Sequence, residues 1–179
     1  MDNAPVNTSG FTLLELIIAL AITAIVSTVG LPAMSDWLGN QRVRAESHLL
    51  WQHLGLARQT AVLRRQVVVA CPTADGLRCD NDADWSQGWM VFINLDDDRP
   101  AQKDPHERLI SRHQSHDRIR IVSNRRTLRF SGDLQRASNG RLLVCGDRPD
   151  QPPTQLVISP TGRTRLVTGD TDTGSLVCP

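Results

Sequence analysis

The stretch "SGFTLLELIIALAITAIVSTVGLP", Ser9 to Pro32, decides how the rest of the chain is read. From Phe11 to Leu31 it runs for 21 residues, and Glu15 is the only charged one. As a helix rising ~1.5 Å per residue, a run of that length spans a hydrocarbon core of ~30 Å. A lone carboxylate inside it costs ~2.5–3.5 kcal/mol at mid-bilayer, so Glu15 is expected to have a partner or a purpose. The run is not an ordinary secretory signal. Its front, "MDNAPVNTSG", holds no Lys or Arg, its apolar part is too long, and a small residue, Gly10, precedes the run instead of following it.

Past the apolar run the helical pattern continues from Met34 to about Leu63. Leu38, Ala45, Leu49, Leu56 and Leu63 recur at helical spacing and predict one apolar face, with Arg42, Arg44, Glu46, Gln52 and Arg58 largely off it. The expectation is one long helix over 11–63, loosened near Gly30 and Pro32. Residues 11–31 form its membrane part, and 32–63 its amphipathic part, packed on the globular remainder of the chain. After Arg65 the signal changes to short segments rich in Val, Ile or Leu between turn residues: Gln66–Cys71, Gly88–Asn94, Arg118–Val122, Thr127–Phe130, Arg141–Cys145, Gln155–Ser159 and Arg163–Thr168. Helices do not alternate with these segments. An antiparallel β-rich head over 64–179 is therefore predicted, which makes the chain α+β.

Charge in the head is polarised. Residues 70–98 hold seven acids (Asp75, Asp80, Asp82, Asp84, Asp96, Asp97, Asp98) against one base, Arg78, whereas 99–179 hold fourteen bases against eight acids. Nineteen of the twenty bases are Arg, whose planar fork makes bidentate contacts that Lys cannot. Four cysteines behind a membrane segment point to an oxidising compartment. Of the three possible pairings, Cys71–Cys79 and Cys145–Cys178 are favoured, because both closures are sterically easy. On the chain-entropy view they contribute roughly 2.5 and 4 kcal/mol. Zinc is disfavoured as the alternative, since there is no C-x-x-C pair and no His at ligand spacing from a Cys.

Catalytic chemistry finds no foothold. Asn94, Asp96 and Asp98 alternate like the start of a calcium loop, but Arg99 and Pro105 stand where such a loop needs Gly and Glu. His113 and His116 form an H-x-x-H without the helix or glutamate of a metalloprotease. No nucleophile–base set, phosphate loop or paired-acid motif is present, so no enzyme, metal or cofactor is expected. The tail carries more. "ISPTGRTRLV", Ile158 to Val167, reads as strand, turn, strand, with Pro160 and Gly162 in the turn. Arg163 and Arg165 then face one side of a strand, ~7 Å apart, and each guanidinium is able to grip a phosphate. Nine Arg also lie between Arg108 and Arg141. If Arg118, Arg120, Arg125, Arg126 and Arg129 adjoin the hairpin, they widen that surface; if not, they serve to neutralise the acidic loop of a neighbouring copy.

"G-F-T-L-L-E" resembles the class III signal of type IV prepilins and type II secretion pseudopilins. The resemblance implies a leader over 1–10, cut by a prepilin peptidase between Gly10 and Phe11, and an N-methylated Phe11. It also implies that Glu15 neutralises the amine of Phe11 in a neighbouring subunit on assembly. Pro32 falls where many type IV pilins carry a helix-loosening proline. The segments "VVVACPTADGLRC", "DWSQGWMVFINLDDD" and "FSGDLQRASNGRLLVC" are similar to the GspH/FimT branch of minor pilins, Trp85 to Phe92 being the most telling; Trp85 and Trp89 themselves are expected to serve core or loop packing rather than ligand stacking. That branch implies a type IV pilin fold, an inner-membrane precursor with a periplasmic head, and other major and minor pilins as partners in the fibre. Gly162, Arg163 and Arg165 resemble the Gly-Arg-x-Arg motif of FimT-type pilins. The motif implies weakly sequence-selective binding of DNA for uptake in natural transformation. Two alternatives stay open: a structural minor pilin that primes assembly or sits in the tip complex, and a GspH-like pseudopilin of type II secretion.

Overall fold

The computed structural model describes residues 10, 12–80, 82–133, 137–168 and 175–179, and leaves aside the side chains of 29–33. Most of the expected leader, Phe11 and the Pro32 ring lie outside the described residues. The chain forms two compact units, Met1–Leu38 and Gly39–Pro179. Helix α1 runs from Leu13 to Arg64.

In the first unit, Thr12 and Glu15 cap the helix reciprocally. The Glu15 N–H donates to Thr12 Oγ1 at 3.2 Å, and the Thr12 N–H to Glu15 Oε2 at 3.4 Å. This is the T-x-x-E capping box, which satisfies amide groups that a helix start leaves without partners. Glu15 therefore has a local role that the cost of burying charge did not suggest. Leu13, Leu14, Leu16, Ile17 and Ile18 stand exposed along the same helix. Among the described residues no helix is long and apolar enough to cross a membrane. The span expected over 11–31 takes in Phe11 and the side chains of 29–31, which are outside the described set.

In the second unit, α1 buries Val43, Glu46, Ser47, Leu50, Leu54, Ala57 and Ala61. Val43, Ser47, Leu50, Leu54, Ala57 and Ala61 alternate by four and three residues, with Glu46 beside Ser47, the geometry of a stripe that stays on one side of a helix. The stripe expected from Leu38, Ala45, Leu49, Leu56 and Leu63 is corrected. Leu49 only flanks the core, Ala45 is exposed, and Leu63 is 83% exposed. The reason is that two polar residues belong to the buried face: Ser47 Oγ donates to the Val43 carbonyl at 2.6 Å, and Glu46 meets a histidine.

Eight strands come after the helix: β1 (Val67–Pro72), β2 (Gly88–Asn94), β3 (Leu109–Gln114), β4 (Arg120–Ser123), β5 (Leu128–Phe130), β6 (Gly140–Cys145), β7 (Thr154–Ile158) and β8 (Thr164–Thr168). They form two four-stranded antiparallel sheets, ordered β3-β2-β1-β5 and β4-β6-β7-β8. The inner faces of both sheets and the α1 stripe share one core, which includes Val68, Trp89, Val91, Phe130, Leu142 and Leu156. The first sheet is also covered on its outer face, where Val69, Met90 and Phe92 pack with the Cys71–Cys79 disulfide and Ala101. Burial on both faces explains why β2, "GWMVFIN", is apolar without alternation and wholly buried. The second disulfide joins β6 to the tail through Cys145 and Cys178. Both bonds are the pairs favoured from sequence.

Candidate nucleic-acid interface

The hairpin β7–β8 is made by its turn. The Gly162 N–H donates to the Ser159 carbonyl at 2.8 Å, and the Ser159 N–H to the Arg163 carbonyl at 3.0 Å. Pro160 takes the first corner, and Gly162, at φ +74°, takes the left-handed position that closes such a three-residue loop. A side chain at Gly162 would meet Phe130 and Ala137 at 3.1 Å and Arg58 at 3.4 Å. Gly162 thus faces inward and is buried, and its part in the Gly-Arg-x-Arg segment is to shape the turn.

Register decides which residues share a face. Val157 lies opposite Arg165, and Arg141 lies opposite Val157, so Arg141 and Arg165 belong to one cross-strand row. The core takes the alternate residues, Leu142, Leu156 and Ile158. The Arg row is therefore on the outer face of the second sheet, and Arg163, two residues before Arg165, points the same way. Arg163 and Arg165 are both exposed. Two features of α1 hold the edge of this hairpin: Trp51 Nε1–H donates to the Thr164 carbonyl at 3.1 Å, and Arg58 Nε–H to the Thr161 carbonyl at 3.1 Å.

The wider basic surface does not assemble as expected. Arg120 lies on β4, with Arg118, Arg125 and Arg126 in its flanking loops. β4 and β8 are opposite edges of one sheet, about 14 Å apart across three strand spacings. Arg118 lies 3.8 Å from Asp147, and Arg125 is bound to Asn139 through Nε and Nη2, both at 2.9 Å. Arg129 is on the other sheet, where it pairs with Asp97 and donates to the Asp98 carbonyl at 3.4 Å. Burial draws its pKa below the usual arginine range. Arg129 thus neutralises the acidic loop of its own chain. The residue that sequence reading did not single out is Arg141, whose place beside the hairpin depends on strand register rather than on chain proximity.

The acidic loop itself is built from backbone contacts. Asn94 Oδ1 accepts from Asp97 at 2.7 Å, Asp98 Oδ2 from Gln102 at 3.0 Å, and Glu107 takes the amides of Leu95 and Asp104 at 2.6 and 3.0 Å. Among the described residues no group of His, Cys, Asp and Glu is arranged to hold a metal.

Residues 46–162, well over half of the chain, match the family described as type II transport protein GspH. The chain belongs to the GspH family. Residues 6–31 match the prokaryotic N-terminal methylation motif. Among solved structures, two crystal forms of the type IV minor pilin FimU of Pseudomonas aeruginosa align with TM-scores of 0.53 and 0.55 at 16% and 15% identity. They cover 72% and 73% of this chain and 98% and 95% of FimU. The minor pseudopilin EpsH from the type 2 secretion system of Vibrio cholerae aligns at 0.51 with 12% identity, over 71% of this chain and 97% of EpsH. At such identities the likeness is one of fold. No curated protein matches the sequence. Family and motif together make the chain a GspH-like minor pilin or pseudopilin.

Within this GspH-type head, a second polar group sits apart from the hairpin, between α1 and the first sheet. His113 Nε2–H donates to Glu46 Oε1 at 2.9 Å, and its ring lies 4.6 Å from that of Trp89. On the other side, Trp89 Nε1–H donates to His53 Nδ1 at 3.0 Å. Burial, and then the nearby His113, lower the pKa of His53 below the ordinary histidine value of 6.5. The unfolded chain therefore binds this proton more readily than the folded one. The contribution of His53 is complete above pH 6.5 and is lost as pH falls through 6.5 toward its lowered folded value. Urea midpoints should accordingly fall between pH 7.5 and 5.5, and His53→Gln should flatten that slope; an unchanged slope in the variant would remove His53 as its source.

Proposed function

We propose that this minor pilin binds DNA through Arg163, just before β8, and Arg165, on the outer face of β8, as a step in DNA uptake during natural transformation. Cleavage between Gly10 and Phe11 by a prepilin peptidase, and pairing of Glu15 with a neighbour's Phe11 amine, would carry it from the inner membrane into a fibre with other pilins. The observation that supports the DNA role is the pair of exposed arginines two residues apart at the start of an edge strand, Arg163 just before it and Arg165 within it. Their spacing of ~7 Å suits successive backbone phosphates, and the hairpin that carries them is held rigid by its turn and by α1. Such contacts read phosphate rather than base edges, so binding is weakly sequence-selective and depends on salt.

The test uses the processed chain in detergent and a gel shift at about 50 and 200 mM salt. Each phosphate contact contributes a slope near 0.9 in log K against log salt, so Arg163→Ala with Arg165→Ala should lower the slope by about two and weaken binding at least about tenfold at low salt. Undiminished binding by the folded double variant would remove these residues from the site. Absence of wild-type binding at 50 mM salt would leave only the assembly role.

A further inference from the structure

We propose that this interface takes single-stranded DNA, with Trp51 as the platform on which a base stacks; this rests on the DNA-binding role of Arg163 and Arg165. Aromatic side chains in the second unit, Gly39–Pro179, are few. The sequence has no Tyr, and within residues 39–179 its Trp and Phe residues are Trp51, Trp85, Trp89, Phe92 and Phe130. Four of these are at most 1% exposed, whereas Trp51 is 41% exposed. The second unit thus has, among its described residues, one Trp or Phe ring that a base can reach.

That ring lies against the backbone that joins the two arginines. Trp51 Nε1–H donates, at 3.1 Å, to the carbonyl of Thr164, the residue between Arg163 and Arg165. The bond fixes the indole against the peptide unit that leads into Arg165, so stacking there requires little further ordering of the ring. His48 meets the ring edge-on, with centroids 6.5 Å apart. One turn along the same helix side, at Gly55, there is open space: a Cβ there would meet nothing within 4 Å. Arg58 is the next residue on that side, held to the hairpin turn. An indole, a vacant stretch of helix and two outward guanidiniums therefore border one strand edge. Stacking needs an unpaired base, and duplex DNA hides its base faces, so this arrangement selects the single strand.

The contrary role for Trp51 is a clip that merely holds the hairpin to α1. The processed chain in detergent, titrated with oligo(dT) of about 12 nucleotides and with a duplex of equal length, separates the two. Trp51→Ala should weaken single-strand binding about tenfold and leave duplex binding within about twofold. Trp51→Phe, which loses the hydrogen bond but keeps a ring, should retain most single-strand affinity. Equal loss for both forms in Trp51→Ala, or no loss for either, overturns the stacking role while the Arg pair still governs both forms. If Arg163→Ala with Arg165→Ala changes neither form, the DNA reading falls first and the stacking role falls with it.

Discussion

Gly88→Ala is expected to lose most of the stability of the head. Gly88 opens β2 at φ +141°, a region that side chains rarely enter, and lies opposite Gln114 on β3. A Cβ there would lie 2.3 Å from the His113 carbonyl oxygen, 3.0 Å from Gln114 Cα and 3.2 Å from the His113 carbonyl carbon. All three are backbone atoms, so no side chain can turn aside to make room. Relief requires β2 and β3 to separate, or Gly88 to change φ and give up its two bonds, from its N–H to Trp85 and from Thr73 to its carbonyl. Strain of this kind with backbone displacement belongs to the severe class of substitutions, and about 3 kcal/mol or more is expected. For a head of this size that is a Tm lowered by roughly 10 °C or more. Thermal unfolding followed by far-UV circular dichroism measures it directly. A Tm within about 2 °C of wild type would show that the strands yield at this point.

Much of this arrangement is legible in the amino-acid sequence, for reasons particular residues make plain. The segments at Gly88–Asn94 and Gln155–Ser159 combine branched or aromatic residues with flanking turn residues, and both are strands to within a residue. β3 is not legible. Its sequence, "LISRHQ", has four polar residues in succession, because it is a half-exposed edge strand whose pairing to β2 comes from the partner's backbone. The helix face is misleading for a related reason. Glu46 looks like a solvent residue, and only the distant His113, brought in by β3, makes its burial tolerable.

The hairpin is legible because Pro160, Gly162 and the two arginines act locally. The wider Arg surface is not, because charge along the chain does not disclose which strands become neighbours. Arg129 is close in sequence to Arg125 yet serves a different sheet, while Arg141 reaches the row of Arg165 across one intervening strand. Trp51 shows the same limit. Composition counts four Trp, and only packing distinguishes the one that stays accessible in the head from Trp85 and Trp89, which are sealed in the core.

Trp89→Ala is the second substitution expected to be severe, and it probes how α1 is joined to the first sheet. Trp89 is 0% exposed, and full truncation of a buried aromatic costs ~3–5 kcal/mol through lost burial and the cavity left behind. Here the damage reaches further than volume. The indole N–H is the donor to His53 Nδ1, and the ring is the surface on which His113 rests while it binds Glu46. Removing the ring leaves His53 without that donor and opens both histidines to water. The burial that lowers the His53 pKa should then weaken, and its titration should return toward 6.5. Two readouts should therefore move together: a large fall in urea midpoint at pH 7.5, and an upward shift in the pH at which the His53 ring resonances titrate by NMR. Trp89→Phe keeps an apolar ring but no donor, so it should fall between wild type and Trp89→Ala in stability. If Trp89→Ala destabilises the fold while His53 titrates as before, the indole acts by filling space alone, and the chain of contacts from β2 through His53 to α1 has no electrostatic content.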